Sequence, residues 1–309
     1  MQTKSGVQLG IALPQGFPNG VVDMKLVRDF VARAEELEFN DLWVAEQITG
    51  TLATLEPAAL LAYVAAITNT IRIGTAVLVS NLRGPVQLAK NLSTLDHLSG
   101  GRLTIGLGLG PNTRMYPAYS LAAEHRVSRF IEGVSIMKAL WTQPSVDFDG
   151  AYAQLDGVSM EPKPVQQPHP PLWFGARVPD ALRRAVVHGD GWMGAGSGTT
   201  QDFLKEHTEL QRILDAEGRD PATFSVSKRV YIAIDNDEAR AWTKLREWIG
   251  AFYGNPDLAN RWCIVGNAAV VAEQLSTLVE AGAKHLMLNP VYDYMEHMEV
   301  IAGEVAPLI

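Results

Sequence analysis

The chain has 309 residues, 47% hydrophobic and 19% charged, with a formal net charge of −8 at pH 7. That composition suits a globular protein with a sizeable core, and its acidic balance disfavours nucleic acid or an anionic membrane as partner. No apolar run reaches the ~20 residues that span a bilayer, no signal peptide precedes Leu9, and the single Cys263 excludes an intrachain disulfide framework or thiolate metal cluster, so a cytoplasmic metabolic protein is expected.

Short apolar runs alternate with helix-length segments throughout. The first run, Gln8–Leu13, precedes a helix that Asp23 caps and that carries Leu26, Phe30, Ala34 and Leu37 on one stripe. Asp41–Ala45 reads as strand two, ends at Glu46-Gln47, and is followed by a helix opened by Pro57. Strand three, Ile71–Val79, leads through Ser80-Asn81-Leu82-Arg83 into a helix begun by Pro85, with Leu88, Leu92 and Leu95 on its core face. Strand four, Leu103–Leu109, dissolves into Gly108-Leu109-Gly110-Pro111-Asn112, and its alternating glycines predict bare backbone presented to a ligand.

The stretch 111–170 exceeds one strand–helix connection. It holds a helix with Phe130, Val134, Met137 and Trp141 inward, then a hairpin of Val146–Phe148 and Tyr152–Leu155 around Asp149-Gly150, then a Pro-rich strap. The remaining strands are Pro171–Phe174, Gly191–Met193, Ser225–Ala233 and Lys284–Asn289. Continuous apolar strands alternating with helices predict one (β/α)8 TIM barrel over residues 1–309, with an excursion after strand four at about 111–170. A doubly wound open sheet gives the same alternation and stays as the second reading.

In a barrel, ligands sit on the loops at the carboxyl ends of the strands. The loop Gly194-Ala195-Gly196-Ser197-Gly198-Thr199-Thr200 runs straight into a helix; glycines, hydroxyls and unpaired helix N–H groups suit a phosphate, and a simple cap and turn is the alternative. Gly175-Ala176-Arg177 ends strand five beside it. No P-loop, dinucleotide fingerprint, HExxH or GxSxG occurs, so no metal is expected, and Cys263 in an apolar run suggests burial. Glu46 reads as a general base, a substrate contact or a capping carboxylate. Of Lys228 and Arg229, one could reach the mouth and meet an anionic ligand while the other faces the helices; snorkelling is the alternative.

The run IGTAVLVSNLRGPVQLAKNLSTLDHLSGGRLTIGLGLG closely resembles the luciferase-like flavin and deazaflavin oxidoreductases, and PLWFGARVPDALRRAVVHGDGWMGAG resembles their fifth and sixth strands. The resemblance implies a bacterial-luciferase-like barrel with a flavin-type ring at the mouth. It places a non-prolyl cis peptide at Ala76-Val77 under the ring, Gly108, Leu109 and Gly110 beside the ring's tail, and Gly175, Ala176, Gly194, Ala195, Gly196 and Ser197 around the phosphate. Gln47 stands where many relatives carry a histidine, and Pro111 where some deazaflavin dehydrogenases carry an acidic proton donor, leaving Glu46 and Gln47 as the catalytic candidates. Asn81, Arg83, Asn112 and Arg114 are the substrate-facing candidates.

What the resemblance implies is an oxidoreductase passing hydride between coenzyme F420 and a small organic substrate. The alternatives are a monooxygenase using reduced FMN supplied by a separate reductase, and a non-catalytic flavin-binding barrel. A homodimer through the apolar second and third helices is also expected.

Overall fold

The computed structural model describes residues 1–110 and 113–309. Eight parallel strands close into a barrel: β1 (Gln8–Ala12), β2 (Asp41–Val44), β3 (Arg72–Thr75), β4 (Leu103–Gly108), β5 (Leu172–Gly175), β6 (Gly191–Gly194), β7 (Ser225–Ile234) and β8 (His285–Asn289). Pairing of Leu172 with Ile105 joins β5 to β4 and closes the ring, which excludes the open-sheet alternative. All eight strands overlap the runs expected from the sequence. The run Ile71–Val79 is interrupted after Thr75 by a cis Ala76–Val77 peptide, at the position expected, before Leu78–Val79 resumes pairing with β4.

Side-chain alternation divides the interior in two. Leu9, Ile11, Leu42, Val44, Ile105 and Leu288 point outward into the main core beneath the helices. Inside the barrel a smaller cluster holds Ala12, Trp43, Ala76, Trp173, Met193 and Met287. Trp43 and Trp173 stack with ring centroids 5.4 Å apart and planes at 26°. Two indoles need space, and neighbouring strands supply it: a Cβ on Gly74 would meet the Trp43 ring, and one on Gly191 would lie 2.7 Å from Trp173 Cδ1. The barrel interior is therefore filled by side chains, as such barrels require.

The helices begin as expected. Asp23 accepts from the Leu26 N–H at the start of α1 (Met24–Glu36), whose buried stripe is Val27, Phe30, Val31 and Ala34, with Leu26 and Leu37 half-buried at its margins. Prolines open α2 (Pro57–Ala66) and α3 (Pro85–Leu98), and α4 (Arg126–Thr142) buries Phe130, Val134, Met137 and Trp141. The excursion hairpin pairs Val146–Asp149 with Gln154–Val158, and Glu132 accepts the N–H groups of Ala151, Tyr152 and Ala153 at its turn. The remaining helices are α5 (Pro179–His188), α6 (Thr200–Ala216), α7 (Glu238–Tyr253), the short α8 (Ala259–Trp262), α9 (Ala268–Glu280) and α10 (Tyr294–Val300). The segment carrying α7 and α8 is an insertion absent from the sequence expectation. It ends in a short strand, Cys263–Gly266, that pairs with the far end of β7 outside the ring.

Candidate active site

The carboxyl ends of the strands form the mouth. On the β3–β4 side the glycines face close neighbours. A Cβ on Gly108 would lie 2.6 Å from Val77 Cγ2, one on Gly110 would lie 3.0 Å from Val79 Cγ2, and one on Gly106 would collide with the Thr75 carbonyl oxygen. In the direction a Cβ would take, the side chains of Val77 and Val79 fill the space beside Gly108 and Gly110. The glycines let β4 lie against the bulge that follows β3.

Glu46, at the end of β2, is held rather than free. It accepts from the Val79 N–H and from Arg83, and Arg83 also reaches Glu56 at 2.9 Å. Burial pushes the Glu46 carboxyl above its usual range, while Arg83 and the Val79 N–H pull against it. Of the three sequence readings this is closest to the capping one, a clamp joining β2 to the strand after the bulge. Gln47 accepts from Thr54 Oγ1 at 3.1 Å. Asn81 is buried and donates to the Arg126 carbonyl at 2.8 Å, so it anchors α4; Arg114 lies exposed on the segment after β4, and Asn112 and Pro111 fall outside the described residues. Among the described candidates, Asn81 and Arg83 line the same cavity beside α3 and α4.

On the opposite side the register settles Lys228 and Arg229. Lys228 pairs with Gly194 and turns outward beneath the β6–α6 loop, where its ammonium donates to the Ala195 and Gly198 carbonyls. Burial lowers its pKa to about 8. Thr199 and Asp202 form a capping box at the start of α6, and Arg177 lies 3.5 Å from Asp202 and donates to the Ser197 carbonyl. The loop Gly194–Ser197 therefore sits over one cation and beside another, next to Gly175 and the buried Ala176. Arg177 also donates to Glu206 at 3.1 Å, so both cations are already paired, and the groups left for an anion are the loop's hydroxyls and the N–H groups at the helix start.

Arg229 points inward. Its Nε and Nη2 donate to Asn289 Oδ1 at 3.0 and 2.6 Å, its Nη1 donates to the Ala76 carbonyl at 3.1 Å, and its guanidinium lies 4.9 Å from the Tyr231 ring centroid. A Cβ on Gly196 would lie 3.1 Å from Arg229 Cδ, so this residue links the anion-suited loop to the floor of the mouth. The sequence missed Asn289 as its partner, and missed α7, whose Trp248 and Phe252 line the mouth with Tyr294. The aromatic density between Trp242 and Trp262 was the available signal.

Deeper in the barrel, Ser227 Oγ lies 2.7 Å from His285 Nδ1, and His285 Nε2 lies 2.9 Å from Asp41 Oδ1, which also accepts from the Trp43 indole. These are the residue types of a nucleophilic triad, yet all three are buried near the amino ends of their strands, away from the mouth. Their evident work is to satisfy one another and orient Trp43. Burial pushes the Cys263 thiol up to about 12, which disfavours its thiolate form.

Residues 7–285 match the family described as luciferase-like monooxygenase. An F420-dependent glucose-6-phosphate dehydrogenase of Kineococcus radiotolerans is 27% identical, over 91% of this chain and 92% of its own length. Among solved structures, an F420-dependent secondary alcohol dehydrogenase superposes with a TM-score of 0.84 at 20% identity, covering 99% of this chain and 98% of its own. The monooxygenase RslO1 from Streptomyces bottropensis superposes at 0.81 with 24% identity, covering 96% and 98%.

Proposed function

This chain belongs to the luciferase-like monooxygenase family, and we propose that it is an oxidoreductase that binds coenzyme F420 and moves hydride between that deazaflavin and a small organic substrate. The observation that carries the reading is the continuous path from the Gly194–Ser197 loop, held over Lys228, to the buried guanidinium of Arg229 at the floor of the mouth. A phosphate-bearing tail and a ring fit such a path. The F420-dependent relatives of similar length support the choice of cofactor.

The deazaflavin supplies the hydride chemistry when bound; the residues bind, orient and exclude water. Gly175, Ala176, Gly194, Ala195, Gly196 and Ser197 would hold the tail. Ala76, Val77, Gly108, Leu109 and Gly110 would form the wall against the ring. Glu46 fixes that wall and Gln47 closes the adjacent loop, so neither is needed as proton donor. Homodimer formation through α2 and α3 belongs to the same reading and is checked by light scattering.

The test is equilibrium binding of purified protein to oxidised deazaflavin and, separately, to FMN. Tighter binding of the deazaflavin is expected. Binding of FMN alone would overturn the proposal in favour of an FMN-dependent oxygenase, and binding of neither would favour a barrel without redox function.

A further inference from the structure

Outside the barrel, between α3, α4 and the excursion hairpin, lies a cavity of about 310 Å³. That is roughly twice the ~150 Å³ that holds a benzene ring, and it falls within the range of small-molecule sites. The cavity shares no lining residue with the part of the mouth around Arg229, Trp248 and Tyr294. Asn81 donates to the Arg126 carbonyl and reaches the Tyr116 hydroxyl, which donates to the Leu109 carbonyl at 3.4 Å; these contacts tie its inner wall to the end of β4. Most of the lining is apolar, with Leu88, Leu121, Phe130, Ile136 and Met137 among it. Three charged side chains also line it, and they differ in how far they are satisfied. Arg83 is held by Glu46 and Glu56. Glu132 accepts with both oxygens from the N–H groups of Ala151, Tyr152 and Ala153, each at 2.8 Å. The Arg129 guanidinium has five N–H groups. Among the described residues it donates from Nη1 to the Ala122 carbonyl at 3.0 Å and lies 5.0 Å from the Tyr152 ring centroid, and neither partner carries a negative charge.

We propose that this cavity is a second ligand site, apart from the mouth, for a compact aromatic carboxylate. The apolar side chains take the ring, and Phe130, Tyr119 and Tyr152 offer it aromatic neighbours. Arg129 takes the carboxylate, because a guanidinium presents paired N–H groups in one plane to two oxygens, and the Tyr152 ring beneath it holds that plane. A cationic ligand is disfavoured, since it would have to compete with three backbone N–H groups for the oxygens of Glu132. The site stands independently of the cofactor reading.

The probe is 2-naphthoate, with 2-naphthamide as its uncharged isostere, each titrated into the protein by calorimetry with deazaflavin absent and present. 2-Naphthoate should bind more tightly than the amide, and with the same affinity whether or not deazaflavin is there. Arg129→Met keeps an apolar stem and removes the charge; it should weaken 2-naphthoate about 10-fold, the worth of a hydrogen bond to a charged group, and leave the amide unchanged. Arg129→Lys should recover part of that loss, with the fold of both variants checked by circular dichroism. Displacement of 2-naphthoate by deazaflavin would put the probe in the mouth and overturn the proposal. Equal losses of both probes in Arg129→Met, or no binding of 2-naphthoate, would overturn it as well. So would conversion of a dimer to monomers by added 2-naphthoate, read by light scattering, because a second copy of the chain would then be the occupant.

Discussion

Replacing Gly108 by Ala tests what the glycines of β4 are for. The added methyl would lie 2.6 Å from Val77 Cγ2, whereas ordinary contact begins near 3.4 Å. Val77 cannot retreat cheaply, because its side chain branches at Cβ and is stiff about χ1, so it has no flexible far end to swing aside. Overpacking of this kind costs about 1–3 kcal/mol, or about 2 °C in melting temperature per kcal/mol for a chain this long. Val77→Ala alone should cost about 1 kcal/mol for the lost methyls. The double variant should recover most of the Gly108→Ala loss, giving a coupling of about 1–2 kcal/mol between neighbours. Gly106→Ala should cost more and not be rescued by Val77→Ala, since its methyl meets the Thr75 backbone oxygen. Thermal and urea unfolding of the three single and two double variants, followed by tryptophan fluorescence, reads all of this. Wild-type stability in Gly108→Ala, with only ligand binding lost, would refute the packing argument and restore the view that these glycines exist for a ligand.

Three further outcomes follow from the site. Lys228, with its pKa lowered to about 8, is charged below that pH and neutral above it. Affinity for a phosphate-bearing cofactor should therefore fall about 10-fold as pH rises from 7 to 10, and Lys228→Met should bind weakly with a flat profile; a flat wild-type profile would count against the loop as the anion site. The sign for stability is opposite, because burying the ammonium is a cost that disappears as pH rises from about 8 toward 10.5. Glu46→Gln should destabilise by about 2 kcal/mol through the weakened tie to Arg83 and Val79, with the pH dependence of hydride transfer unaltered; loss of an acidic limb would make Glu46 a proton carrier after all. A fluorophosphonate should leave the fully buried Ser227 unlabelled, and labelling in native protein would show that the Ser227–His285–Asp41 array is reachable.

The eight strands were legible because strands buried on both faces read as unbroken apolar runs, and the helix starts because Asp23, Pro57 and Pro85 act locally. What stayed hidden depended on register or on partners far along the chain. Two orientations for Lys228 and Arg229 were open until Lys228 paired with Gly194 and Arg229 with Met287. Glu46 looked available for chemistry because its partner Arg83 is 37 residues away. The run of glycines in β4 was recognised, yet the side chains that fill their space come from the neighbouring strand. The insertion carrying Trp248 offers no motif; only its aromatic content sets it apart.

The most direct test of the central claim is a crystal structure of the protein soaked with oxidised deazaflavin. The account predicts the phosphate on the Gly194–Ser197 loop above Lys228, with the ring against Ala76–Val77 and its neighbour Arg229. A phosphate bound elsewhere, or a ring lying outside the mouth, would contradict it.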